Sequence, residues 1–301
     1  MRRERCCMTP PTLENRLPPE DLLERDDHPL RELAWLVAAS LAVLAVLVLV
    51  TGLSARWLAP KLPFEYEVAL AERVFDAEPK AAASADAAAE RERRVALQSL
   101  ADRVAAVMAL PPGMKVVVSD DASELVNAYA TVGGRIRVFH GLLRKLDSEQ
   151  ALAALLAHEI AHVKHRHVAA NMGHGLAVSL LLSVVMPEGA AQAAQGLLGG
   201  AAQLALLGYS RDAERQADAE ALAASLALYG HAGGLAALFT VLPQADHAPS
   251  GTAWLRSHPD TVERLAVLKA AAGARGAAMV GAVTPLPGAL RALPPAAAHK
   301  S

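Results

Sequence analysis

His158, Glu159 and His162 are the residues best placed to do chemistry in this chain. They lie within LAHEIAHVKHRH, residues 156–167. Four residues apart on a helix, the two histidines share one face, one turn above the other. Two imidazoles so placed can grip a single metal ion from the same side. Glu159 follows the first of them directly, so its side chain points about 100° round the helix and reaches a water at the metal without ligating it. This is the H-E-x-x-H arrangement, in which the glutamate serves as general base. Alone, so short a pattern also fits a polar stripe on a surface helix. His165 and His167 do not both fall on the face of His158 and His162, and are read as solvated or interface histidines.

A catalytic zinc site takes three protein ligands and keeps one position for water. The third ligand must come from another helix. SRDAERQAD, residues 210–218, offers Glu214 as ligand, with Asp218 one turn later as outer acceptor for a ligand imidazole N–H. By itself that pair describes an exposed helix face; together with H-E-x-x-H it points to Zn2+, one per chain.

The elements that must position these groups can be read around them. Residues 149–167 form one helix, started by Asp147 or Ser148 with Gln150 placed to close a capping box. Residues 209–230 form a second. Three β segments precede them, MKVVVSD (114–120), LVNAYAT (125–131) and RIRVFH (135–140), the last two joined by the tight-turn residues Val132-Gly133-Gly134. Helical patterns also cover 63–77, 93–110 and 257–272. The apolar stretches 175–186 and 191–208 fit buried helices or a hairpin dipping into a bilayer better than two full spans. The class is α+β, mainly α, with a small sheet beside the active helix.

These motifs resemble the zinc metallopeptidases of the HtpX and CAAX-prenyl-protease family, which also holds periplasmic outer-membrane-assembly proteases and a mitochondrial inner-membrane protease. NAYATVGGRIRVFHGLL (127–143), HEIAHVKHRH, YSRDAERQAD and, more loosely, SHPDTVERL (257–265) carry the likeness across roughly 62–272. The resemblance implies a zincin-like gluzincin fold, a metal held by His158, His162 and Glu214, and endoproteolysis of membrane or envelope proteins. His258 and Arg264 are candidates for a second donor to the developing oxyanion, with helix capping and a surface ion pair as the competing reading. Asn127, Ala128 and Tyr129, on an edge strand, could pair with an extended substrate backbone. His247, in a Pro- and Ala-rich loop, is a candidate regulatory fourth ligand covering the zinc. His140, His174 and His231 are assigned to structure or solvent.

Residues 34–53 carry no charge and are long enough to cross the roughly 30 Å hydrocarbon core. Arg2, Arg3, Arg5, Arg16, Arg25 and Arg31 precede this span, and only Arg56 and Lys61 follow closely. The basic asymmetry puts the N-terminus in the cytoplasm and the catalytic part across the membrane, in a bacterium the periplasm. A long, partly acidic arm before the span favours an uncleaved, single-pass inner-membrane anchor over a signal peptide. The resulting partition is an arm at 1–33, the anchor at 34–54, a connector with an Ala-rich linker at 55–92, the metallopeptidase domain at 93–273 and a disordered Pro/Ala-rich tail at 274–301.

Composition limits the alternatives. The 301 residues are 53% hydrophobic and only 4% aromatic, so a core of Ala, Leu and Val is expected. The net charge of -2 argues against an extended nucleic-acid surface. Cys6 and Cys7, side by side, offer no disulfide framework and no thiolate metal cluster. Polypeptides and the membrane are the expected partners, and self-association into a homo-oligomer is compatible with the sequence. Two other functions compete with a quality-control endopeptidase: a chaperone or assembly factor using the same groove with latent cleavage, and a non-peptidase zinc hydrolase.

Overall fold

The computed structural model describes residues 29–58, 61–75, 87–172, 208–242, 254, 258 and 261–294. His247, most of 175–208, the N-terminal arm before Pro29 and the last seven residues lie outside these. Two compact units divide the chain at Ala45 and Val46. In the first, the described residues belong to the opening half of helix α1 (Pro29–Leu58). Within α1, Pro29–Ser54 is long and apolar enough to cross a membrane, and Leu36, Val37, Leu41, Val43, Val46 and Leu49 in it are exposed.

The second unit is built around helix α5 (Glu149–Lys164). Every residue from Gln150 to Val163 in it is buried. A helix apolar all round belongs in the middle of a core, and the run of alanines in EQALAALLAHEIAH lets neighbours approach on each side. Helix α3 (Ala87–Val107), helix α6 (Arg211–Tyr229) and helix α7 (Gly233–Val241) pack on it, α6 most extensively. Helix α8 (Thr261–Ala274) lies against α6. Leucine, valine and alanine dominate this core.

The sheet lies beside α5. Strand β3 (Arg135–Phe139) is central, antiparallel to β2 (Ala128–Thr131) and parallel to β1 (Val117–Asp121). Gly133 and Gly134, with φ of 72° and 73°, make the β2–β3 turn. A Cβ on Gly134 would stand 2.1 Å from the Lys115 carbonyl oxygen, so a side chain there is excluded. The turn packs on helix α2 (Phe64–Phe75). After β3, the short helix α4 (His140–Leu143) leads toward α5. His140 is structural: buried, it bonds Asp120 at 2.9 Å, and Asp120 in turn accepts from Arg93 at 3.0 Å.

Several boundaries differ from the sequence reading, each for a local reason. The N-cap of α5 is Ser148, whose hydroxyl accepts from the Ala151 N–H at 3.2 Å. Gln150 closes no capping box. Its amide instead donates to the Ala282 carbonyl and accepts from the Thr284 N–H, at 3.1 and 3.0 Å. That clip is one reason residues 275–294 are not the disordered tail expected there. Ser148 bridges to Pro285, Leu286 and Leu290 are buried, and helix α9 (Gly288–Arg291) packs on α3. Helix α5 ends at Lys164, short of 167, because Arg166 is left-handed, with φ of 59°. A non-glycine residue holds that conformation only when its surroundings fix it; here Glu67 accepts from its guanidinium at 2.6 Å and the Leu62 carbonyl at 3.0 Å.

Candidate active site

Helices α5 and α6 meet at His158, His162 and Glu214. Helix α6 begins at Ser210, whose hydroxyl accepts from the Ala213 N–H, and ends on left-handed Gly230. This fixes its first turn, and Glu214 with it, against the histidine face of α5. His258 comes to the same point from the C-terminal part of the chain. All four residues are buried, and one donor atom from each lies within 4.8 Å of all the others.

The individual distances are informative. His158 Nε2 is 3.2 Å from His162 Nε2 and 3.3 Å from His258 Nδ1. The Glu214 carboxylate oxygens stand 3.5 Å from His158 Nε2, 3.4 Å from His162 Nε2 and 2.9 Å from His258 Nδ1. A tetrahedron with arms of about 2.0–2.1 Å has edges of about 3.3–3.4 Å. Most of the donor separations lie near those edges, and the donors are of the chemistry that holds a metal ion. Glu159 supports the same fit. It is fully buried, neither carboxylate oxygen has a hydrogen-bond partner, and His258 Nε2 lies 3.6 Å from one of them. A carboxylate so placed needs a neighbouring positive charge or a water.

Behind the donors stands a second layer. Asp218 Oδ1 lies 3.1 Å from His158 Nδ1, leaving Nε2 directed at the cluster. Arg264 grips Asp218 with two hydrogen bonds, at 2.8 and 2.7 Å, and pairs with Glu214 at 2.5 Å. Its guanidinium is thus engaged by the carboxylates that orient the histidines. Its geometry is that of a clamp on the donor set, not of a free donor to a substrate oxyanion. His258, the other residue expected in that role, instead stands among the donors. The strand residues Asn127, Ala128 and Tyr129 are buried, and Ala128 and Tyr129 lie in the outer strand of the three, next to α5.

Electrostatics separates the two α5 histidines. Burial pulls His158 down, but hydrogen bonds with Asp218 and Glu214 outweigh it and set its pKa at about 9. Burial drives His162 well below the usual imidazole value, since its neighbours include two other imidazoles. Burial alone would raise Glu214; the charge of His258 and hydrogen bonds from the histidines hold it well below the carboxylate range. Asp218, opposed by burial but bonded to Arg264 and His158, is held at about 2. Two anions thus stay ionised in a buried site, with the Arg264 guanidinium paired to both.

Several residues around the site escape a reading by motif. Tyr209 stacks on His162, ring centroids 3.7 Å apart, and buried Trp254 stacks on His258 at 4.2 Å. His167 is not solvated: its Nδ1 is 3.0 Å from His162 Nδ1. Burial lowers the His167 pKa to about 4, so the ring is neutral. For Tyr209 the signal was its place beside the second motif; for His167 there was none, because the left-handed Arg166 brings it round.

The sequence pattern of Peptidase family M48 matches residues 90–272, more than half of the chain. Individual relatives match over shorter stretches. The beta-barrel assembly-enhancing protease of Escherichia coli K12 is 33% identical over 103 residues, 31% of this chain and 21% of that protein. Protease HtpX homolog 1 of Streptomyces coelicolor is 41% identical over 86 residues, 27% of this chain and 26% of that protein. A mitochondrial metalloendopeptidase of Schizosaccharomyces pombe is 43% identical over 56 residues, 19% of this chain and 17% of that protein. The chain thus spans about a fifth of the length of these relatives. With a match that runs from α3 through α8, and a buried cluster of two α5 histidines and an α6 glutamate inside it, the chain belongs to Peptidase family M48.

Proposed function

We propose that this protein is a membrane-anchored zinc endopeptidase that cleaves misfolded membrane or envelope proteins. The observation that carries the reading is the buried cluster of His158, His162, Glu214 and His258 next to the Glu159 carboxylate, which has no hydrogen-bond partner. His158, His162 and Glu214 hold one zinc ion. When bound, zinc supplies Lewis acidity, polarising the scissile carbonyl and bringing the pKa of a water down to about 7. Glu159 takes the proton from the attacking water and passes it to the leaving amine. Asp218 orients His158 by accepting from its Nδ1–H, and Arg264 holds Asp218 and Glu214 in place. Tyr209 and Trp254 keep water from the donor side. A catalytic site needs one position for water. His258, whose Nδ1 stands 2.9 Å from Glu214, is the residue that would compete with water for that position.

The substrate class is drawn from two supports. The matched relatives include a protease named for enhancing beta-barrel assembly, and the one described helix long and apolar enough to cross a membrane lies near the N-terminus. A latent protease acting as an assembly factor would use the same groove. Purified protein is expected to degrade unfolded casein, to stop when a zinc chelator is added, and to resume when zinc is restored. Turnover that is indifferent to the chelator would contradict the reading.

The basic asymmetry around residues 34–53 supports a catalytic part outside the cytoplasm. A phosphatase reporter that works only after export, fused behind Ser301 and expressed in a bacterium, is expected to be active. A cytoplasm-only reporter active at the same junction would reverse the orientation.

A further inference from the structure

Helix α6 supports His158 through Asp218, but Asp218 does not reach His162. A second set of side chains leads away from His162 instead. His162 Nδ1 is 3.0 Å from His167 Nδ1, and His167 Nε2 is 3.1 Å from Gln216 Oε1. Gln216 Nε2 is 2.8 Å from His165 Nδ1, and His165 Nε2 is 3.0 Å from Glu220 Oε1. Lys164 Nζ donates to both Glu220 oxygens, at 2.9 and 3.0 Å. We infer that His167, Gln216 and His165, anchored on the Lys164–Glu220 pair, form a directional hydrogen-bond chain that holds His162 with its Nε2 lone pair toward the metal. The inference rests on the proposed metal site and adds positioning residues to it.

The direction follows from the anchor. Glu220, as a carboxylate bonded to Lys164, only accepts. His165 must therefore donate from Nε2, and its Nδ1, without a proton, accepts from the Gln216 amide N–H. That turns the Gln216 oxygen toward His167, which donates from Nε2. A neutral imidazole has one N–H, so His167 Nδ1 is left as an acceptor. Among the described residues, the group it faces at hydrogen-bond distance is His162 Nδ1, which must then be the protonated nitrogen. His162 Nε2 is consequently unprotonated, as a metal ligand must be. Run in the opposite direction, the same chain would place a proton on Nε2 and block ligation. A second-layer acceptor on a ligating imidazole commonly fixes its tautomer in this way. Here the carboxylate is three residues removed and acts through a neutral relay.

The backbone is arranged for this contact. Left-handed Arg166 turns the chain at the end of α5, so that His165 and His167 stack with ring centroids 5.7 Å apart, both beside α6. Gln216 and Glu220, four apart, share one face of α6. Helix α6 thus supplies the ligand Glu214 and the outer support of both α5 histidines.

The test is the zinc affinity of the purified full-length protein in detergent, measured by competition with a chromophoric chelator, alongside melting of each protein with zinc removed. His167→Leu and Gln216→Leu are expected to bind zinc about 10–100-fold more weakly. His167→Asn, whose amide oxygen can take the place of Nδ1 and accept from His162, is expected to bind close to wild type. So is Gln216→Glu, which still accepts from His167. Losses in both members of each pair that track the zinc-free melting temperature would mean simple packing and overturn the inference. So would unchanged affinity in both leucine variants. Wild-type protein that binds no zinc at all would overturn the underlying metal site instead, an outcome distinct from wild-type binding with unaffected variants.

Discussion

Glu159→Gln is expected to purify with its full metal complement and to lose peptide hydrolysis by about 10²–10⁴-fold, the usual contribution of a positioned general base. Glu159 is on the buried face of α5 between the two histidines, yet it makes no hydrogen bond to either. Replacing one of its oxygens by an amide therefore breaks no contact that holds the donor set. Glutamine keeps the volume but cannot take a proton at neutral pH. Two readouts are needed: casein turnover, and metal content of the same sample. The variant should also retain unfolded clients, which separates a proteolytic role from a purely chaperoning one. A fully metallated Glu159→Gln protein that cleaves at near wild-type rate would remove Glu159 from the chemistry.

Glu214→Ala should behave differently. It removes the only carboxylate among the four donors, and with it the partner that Arg264 meets at 2.5 Å and that all three histidines approach. Metal content is expected to fall to background and activity with it. Without that anion, the buried Arg264 guanidinium loses one of its two carboxylate partners and is left with Asp218. Breaking a buried ion pair by removing one partner typically destabilises by about 3–5 kcal/mol, so the melting temperature should drop as well. Thermal unfolding followed by circular dichroism checks the second part. A stable, metal-loaded and active Glu214→Ala would show that the third protein ligand lies elsewhere.

How much of this could be read from residue order depends on the range of each interaction. The proximity of His158 and His162, and that of Glu214 and Asp218, follows from one helical turn, and helical periodicity is a local signal. The β2–β3 hairpin was equally legible, because Gly133-Gly134 between two β-branched and aromatic runs admits few alternatives. The parallel pairing of β1 with β3 was not, since nothing in residues 114–120 specifies which strand they join. Ser148 and Gln150 show how a local rule gives way: the cap formed, but the amide found better partners at Ala282 and Thr284, more than 130 positions away. Those same contacts order a Pro- and Ala-rich segment whose composition suggested disorder. His258 reaches the cluster across 100 positions from His158, so its place beside these side chains is a property of the tertiary fold. His167 depends on one backbone angle, the positive φ of Arg166, which is fixed by Glu67 and Leu62 from the connector helix region.

The most direct measurement is zinc content against casein turnover in matched preparations of the wild type, Glu159→Gln and Glu214→Ala, by elemental analysis and a fluorescent cleavage assay. The account predicts one zinc per chain with activity in the wild type, one zinc without activity in Glu159→Gln, and neither in Glu214→Ala. Zinc bound equally by all three proteins, or casein cleaved by wild-type protein that contains no metal, would contradict it.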